Sequence, residues 1–167
     1  LLLIAFRDLT GARWNDGFRC VREALAATLP WVAAVLAVVL IAGIPSYPWS
    51  RPGTLAEETD WFKRWWLQPE FFAARAIACL VIWVMFAVGM VRASRREAVH
   101  GGPTRAGVRL YAAFLVIFSL TFWLASTDWI MSLELSWYST AFAVYNFGGI
   151  LLSSLAAVTL VTLWLRR

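Results

Sequence analysis

The chain has 167 residues, of which 61% are hydrophobic and 15% charged, and its mean hydropathy is +0.68. Soluble domains carry about 25% charged residues, so a soluble globular protein is excluded. The net charge of +5 would suit a nucleic-acid surface in such a domain. Here the basic residues cluster at the ends of apolar runs instead, which excludes that partner and fits the positive-inside pattern of membrane proteins.

The opening Leu1-Leu2-Leu3-Ile4-Ala5-Phe6 has no basic region before it and no small-residue cleavage site after it, so it does not read as a signal peptide. It reads as the tail of an earlier span, and the chain as an internal piece of a longer polytopic protein. A basic connection follows, with Arg7, Arg13, Arg19 and Arg22. Asn15 or Asp16 can cap a helix starting near Gly17. Arg19 and Arg22, three apart, can reach lipid phosphates or a partner subunit.

Four runs reach the roughly 20 apolar residues of a bilayer-spanning helix: 25–44, 71–91, 110–131 and 139–165. None shows the short polar–apolar alternation of a barrel strand. The predicted fold is therefore all-α, a polytopic transmembrane helical bundle forming a single domain over 1–167. Pro30 sits near the start of the first span, where it either occupies a first-turn position or kinks the helix. Tyr47-Pro48-Trp49 after that span predicts an interfacial aromatic belt.

Residues 54–68 predict a short helix lying in the headgroup region, with Thr54 and Glu57 as a capping box. Within it, Trp61 pairs with Trp65 and Phe62 with Trp66 at i,i+4 spacing. Interfacial anchoring and a quinone-lining role both remain open for this helix. The second span carries Arg75 inside its first turns, where a cation either snorkels to the interface or pairs with a carboxylate, Asp128 or Glu134. The loop 92–109 is basic and holds the single histidine, His100, so it faces the cytoplasm while 45–70 and 128–138 face outward. One His and the distant Cys20 and Cys79 give no haem, iron–sulfur or zinc ligand set, and no metal site is expected.

The third and fourth spans enclose residues 126–140, a stretch with Asp128, Glu134, Trp129, Trp137 and Tyr138 and no Lys or Arg. Trp129 and Trp137, like Tyr47, Trp49, Trp65 and Trp66, are expected to anchor at the interface. Thr121, Ala125, Asp128 and Ser132 share one helix face. Ser139, Ala143, Asn146, Gly149 or Ile150, Ser153 and Ala157 form a stripe of small residues on the fourth span. The expectation is that these two faces pack together, the polar groups acting either as interhelical glue or as a proton or quinol path. Candidate residues for that path are Asp128, Glu134, Ser132, Thr121, Tyr138, Asn146 and Arg75. No catalytic centre is legible.

The run Asp128-Trp129-Ile130-Met131-Ser132-Leu133-Glu134, followed by Trp137-Tyr138-Ser139-Thr140, resembles a signature of the ActF subunit (quinone-binding subunit 2) of alternative complex III, a relative of the NrfD/polysulfide-reductase membrane anchors. Leu9-Thr10-Gly11-Ala12-Arg13-Trp14 and Tyr47-Pro48-Trp49 agree in order. The family often reads Glu-Pro-His-Trp-Tyr where this chain has Glu134-Leu135-Ser136-Trp137-Tyr138, and Ser136 cannot serve as a base near neutral pH. The resemblance implies a subunit without cofactors of its own in a bacterial inner-membrane quinol:cytochrome c oxidoreductase. It implies partners as well: a related NrfD-like membrane subunit, an iron–sulfur protein and a multihaem cytochrome that carry the iron–sulfur clusters and haem. Scaffolding, proton conduction and a quinone pocket are the roles it implies. Two readings stand beside it. One is a purely structural anchor. The other is a secondary transporter, for which Pro30 and Gly148-Gly149 are the only helix-breaking candidates and do not recur in matching positions.

Overall fold

The computed structural model of the chain describes residues 1–10, 19–54, 60–100 and 104–165, and the backbone alone at 7–10, 19, 20, 22 and 100. The capping positions Asn15, Asp16 and Glu57, most of the 9–14 motif, and the side chains of Cys20 and His100 lie outside this description. All regular structure among the described residues is helical: α1 (Leu2–Thr10), α2 (Arg19–Ala27), α3 (Leu29–Gly43), α4 (Trp61–Trp66), α5 (Pro69–His100), α6 (Arg105–Trp129) and α7 (Phe142–Leu165). Short 3-10 turns at Ile44–Ser46, Pro48–Ser50 and Met131–Leu133 join the helices at one end. Four helical stretches are long and apolar enough to cross a membrane: Leu29–Ser46, Pro69–Val99, Arg105–Leu133 and Phe142–Leu165. In lipid a helix satisfies its own backbone groups. Hydroxyls within the spans are satisfied the same way, since Ser119, Thr121, Thr127, Thr159 and Thr162 each donate to the carbonyl four residues back.

The first span begins at Leu29 rather than at 25. Pro30, in the first turn of α3, has no N–H to continue the ladder from α2. Thr28 bridges the break, its hydroxyl donating to the Leu25 carbonyl at 2.8 Å. Leu25 thus belongs to α2, a separate short helix. The second span extends well past 91, to His100, and the third starts at Arg105, so the 92–109 loop is mostly helix. The helix expected over 54–68 is described only as Trp61–Trp66, capped by the Asp60 carboxylate accepting from the Phe62 N–H at 2.9 Å. Phe62 stacks on Trp66 at 5.4 Å. Trp61 turns its edge to Phe62 instead of meeting Trp65.

Helices α5 and α6 are the centre of the bundle. α3 packs on α5, α1 on α6, and α2 on the end of α5. Along the α3–α5 seam Ala33 and Ala76 are buried beside Leu40 and Leu80, and the small side chains let the backbones approach. At the basic end, Met90, Tyr111 and Phe114 are fully buried with Ala5 of α1. Glu97 closes that end. Its carboxylate accepts from the Thr104 N–H at 2.9 Å, the Thr104 hydroxyl at 3.2 Å and the Tyr111 hydroxyl at 2.9 Å. Thr104 in turn caps α6 by accepting from the Gly107 N–H at 3.0 Å. A Cβ at Gly107 would fall 2.0 Å from the Glu97 carboxylate, so only glycine fits beside it. Helix α2 is fastened nearby, where Ser94 donates to Glu23 at 2.6 Å.

Replacing Glu97 by Ala removes the acceptor shared by Thr104 and Tyr111. The expected loss is about 1–3 kcal/mol of stability, read as a lower melting temperature of the purified protein in detergent.

Candidate functional site

Within 126–140, Asp128, Trp129 and Ser132 converge with the segment after α3, with α4 and with the start of α5. Their centre is an ion pair. Arg75 of α5 donates from Nε to the Asp128 Oδ2 of α6 at 2.7 Å. The Trp66 indole donates to the other oxygen, Oδ1, at 2.8 Å. Arg75 Nη1 donates to the Trp66 carbonyl at 2.8 Å. The guanidinium carbon lies 4.1 Å from the centre of the Trp66 ring and 4.5 Å from that of Phe71. Such contacts contribute on the order of 0.5–2 kcal/mol each when desolvated. Asp128 is 3% and Arg75 9% exposed. Arg75 therefore pairs instead of snorkelling. Its Nη2 is buried without an acceptor, and the two aromatic faces over the guanidinium offset part of that cost.

The sequence places Asp128 correctly with Thr121 and Ser132, and the third span does pack on the fourth, but Asp128 and Thr121 turn to other helices. These two meet α4 and α5, not the stripe of the fourth span. Thr121 accepts from the Trp83 indole of α5 at 2.8 Å, and Trp129 packs against Trp83 at 5.6 Å. The reason is that a buried carboxylate needs a cation and strong donors. Arg75 and Trp66 supply these from α5 and α4, whereas α7 offers only neutral groups.

Tyr47 and Trp49 are likewise misplaced by the sequence reading. They are not belt residues: Trp49 is fully buried and Tyr47 nearly so, in a cluster with Phe72 at ring distances of 5.0–5.3 Å. Both do a specific task at the C-terminus of α6, where the last carbonyls have no helical partner. The Tyr47 hydroxyl donates to the Trp129 carbonyl at 2.8 Å. Ser132 donates to the Asp128 carbonyl and accepts from the Trp49 indole at 3.3 Å. Lys63 of α4 donates to the Leu135 carbonyl at 3.1 Å. Tyr47 thus caps the end of α6 from 82 positions upstream, while Trp49 and Lys63 hold the turn that follows it. The signal available in the sequence is the pair of aromatic donors, since a buried Tyr or Trp needs an acceptor, but nothing in their spacing names it.

Burial, and then the Asp128 carboxylate, push the Tyr47 phenol above its ordinary range. Glu134 is fully exposed and remote from the ion pair. The Ser136 hydroxyl and N–H both donate to it and hold its carboxyl below the usual range. Tyr138 projects outward, and Trp65 and Trp137 are half exposed. Asn146 is on α7, away from the ion pair, beside a separate groove. No group of three or more metal-ligating side chains occurs among the described residues. No known family, curated protein or solved structure matches the chain.

Asp128→Asn leaves Arg75 buried without its counter-charge and is expected to cost about 3–5 kcal/mol, whereas Arg75→Met with Asp128→Leu regains most of that loss. Thermal unfolding of the three proteins checks this. Tyr47→Phe is expected to cost about 1 kcal/mol at neutral pH through the bond to Trp129. The raised phenol also makes stability fall as pH rises above about 10, because the unfolded state ionises first. Melting curves at neutral and alkaline pH should show that fall in the parent and not through this group in Tyr47→Phe.

Proposed function

We propose that the chain is a non-catalytic membrane subunit of a quinol:cytochrome c oxidoreductase of the alternative complex III type, acting as a helical scaffold. The membrane-spanning architecture and the motif at 128–140 support this reading. The observation that carries the scaffold role is the state of Asp128, the motif's own carboxylate. Both its oxygens are engaged by Arg75 and Trp66, it is sealed from the surface, and its helix end is capped from the opposite half of the chain. That arrangement is a clamp and not an outlet for protons. In this reading the turn and the 45–70 segment lie on the outer face of the bacterial inner membrane and the 92–109 segment in the cytoplasm. A related NrfD-like subunit, an iron–sulfur protein and a multihaem cytochrome complete the electron route from quinol.

The test is made in native membranes. An affinity-tagged chain should co-purify iron–sulfur and haem proteins that give reducible cytochrome spectra. The double variant Arg75→Met, Asp128→Leu should assemble and retain quinol:cytochrome c turnover and proton release within about twofold of the parent. Normal assembly with lost turnover would overturn the clamp and restore a proton path through Asp128. Failure to recover any redox protein would overturn the complex itself.

A further inference from the structure

Helix α7 is the least covered of the spans, with 6% of its apolar window buried against 33% for α5. Between it and α6 runs an apolar groove of about 1180 Å³, larger than the roughly 300–1,000 Å³ of sites for drug-sized ligands. The groove extends along α6 from Phe114 to Ile130, about 24 Å at 1.5 Å per residue, which is most of the roughly 30 Å hydrocarbon core of a bilayer.

The two ends of the groove differ. At the basic end it is walled by Leu2 and Ile4 of α1 and Ala26 of α2, and α2 also contacts α7 there. A through-running helix has no exit past that wall. At the turn end the lining becomes polar, with Ser126, Tyr145 and Asn146. The Asn146 Nδ2 is buried and has no acceptor among the described residues. Asn146 lines the groove, and an unmet amide donor in an apolar setting is costly. The middle of the α7 wall is made of Gly148, Gly149, Ser153 and Ala157, and a Cβ built on either glycine meets no atom within 4 Å. Among the described residues, no Asp, Glu, His, Lys or Arg lines the groove.

We infer that this groove holds a glycerophospholipid from the leaflet on the turn side. An acyl chain lies along Gly149 and Ser153 towards the closed end, and an ester carbonyl accepts from Asn146. The chemistry selects this occupant. The apolar length suits a hydrocarbon chain, the polar end lies where that leaflet places its glycerol region, and the single free donor fits a carbonyl. A quinol is the less suitable amphiphile, because its oxidation releases protons and no carboxylate or imidazole among the described residues lines the groove to receive them. The lipid would make α7 part of the bundle by filling the space that protein does not.

The experiment uses the protein as purified from membranes, with any bound subunits, after an extended detergent wash. Native mass spectrometry and lipid extraction should recover about one phospholipid per chain. Gly149→Leu and Ser153→Leu project into open groove and leave the fold intact, which the melting temperature of the lipid-free protein verifies. Both should reduce lipid retention at least tenfold, and Asn146→Leu by a smaller factor. Retention of quinone in place of phospholipid, unchanged phospholipid in the leucine variants, or no retained phospholipid in the parent would each overturn the proposal. Recovery of redox partners is scored separately, so loss of the complex assignment would leave this result standing.

Discussion

The pairing of Arg75 with Asp128 is the constraint on which the turn end of the bundle depends. Two charges withdrawn from water carry a desolvation cost of several kcal/mol each, and only close geometry with further donors offsets it. The structure meets that demand from three elements. α5 brings the cation, α6 the carboxylate, and α4 both an indole donor and a carbonyl acceptor in Trp66. The short helix α4 is consequently not free to drift in the headgroup layer. Its inner residue Trp66 is committed to the pair, while Trp61 and Trp65 remain exposed. One helix therefore locks the pair on one side and presents exposed tryptophans on the other.

The two ends of the bundle reach closure by different chemistry. At the basic end a single carboxylate, Glu97, gathers a backbone N–H and two hydroxyls, all within fourteen residues of itself. It is a local staple across an α-hairpin. At the turn end the contacts are remote in sequence and combine charge, indole donors and carbonyl capping. Between these ends the spans rely on small-residue packing and on hydroxyls that satisfy themselves within their own helices, as expected where lipid offers no hydrogen bonds.

The number and type of the spans were legible because membrane-length apolar runs are long and unambiguous. Boundaries were less so. At Leu25 the apolar run continues smoothly across a helix break whose cause, Pro30, lies five residues further on. At Arg92 the basic residues read as loop although they ride on the last turns of α5. In the site, Arg75 and Asp128 could be matched by charge alone. The face that Asp128 shares with Thr121 was visible from periodicity, but periodicity says which residues point together and not what they point at. Trp66, Trp83 and Tyr47 were read as lipid-facing aromatics or passed over because composition cannot tell a belt tryptophan from a buried donor.

The capping of α6 from far upstream bears on how such a protein is made. A chain enters the membrane from its N-terminus onward, and early segments are in place before later ones emerge. The Trp129 carbonyl, the Ser132 hydroxyl and the Asp128 carboxylate arrive later, into a pocket whose Tyr47, Trp49 and Arg75 precede them by 82, 83 and 53 positions respectively. Long sequence separation is normally a kinetic burden on folding. Here it becomes an order of assembly, in which the first half of the chain is a receptor and the third span is the ligand that completes it.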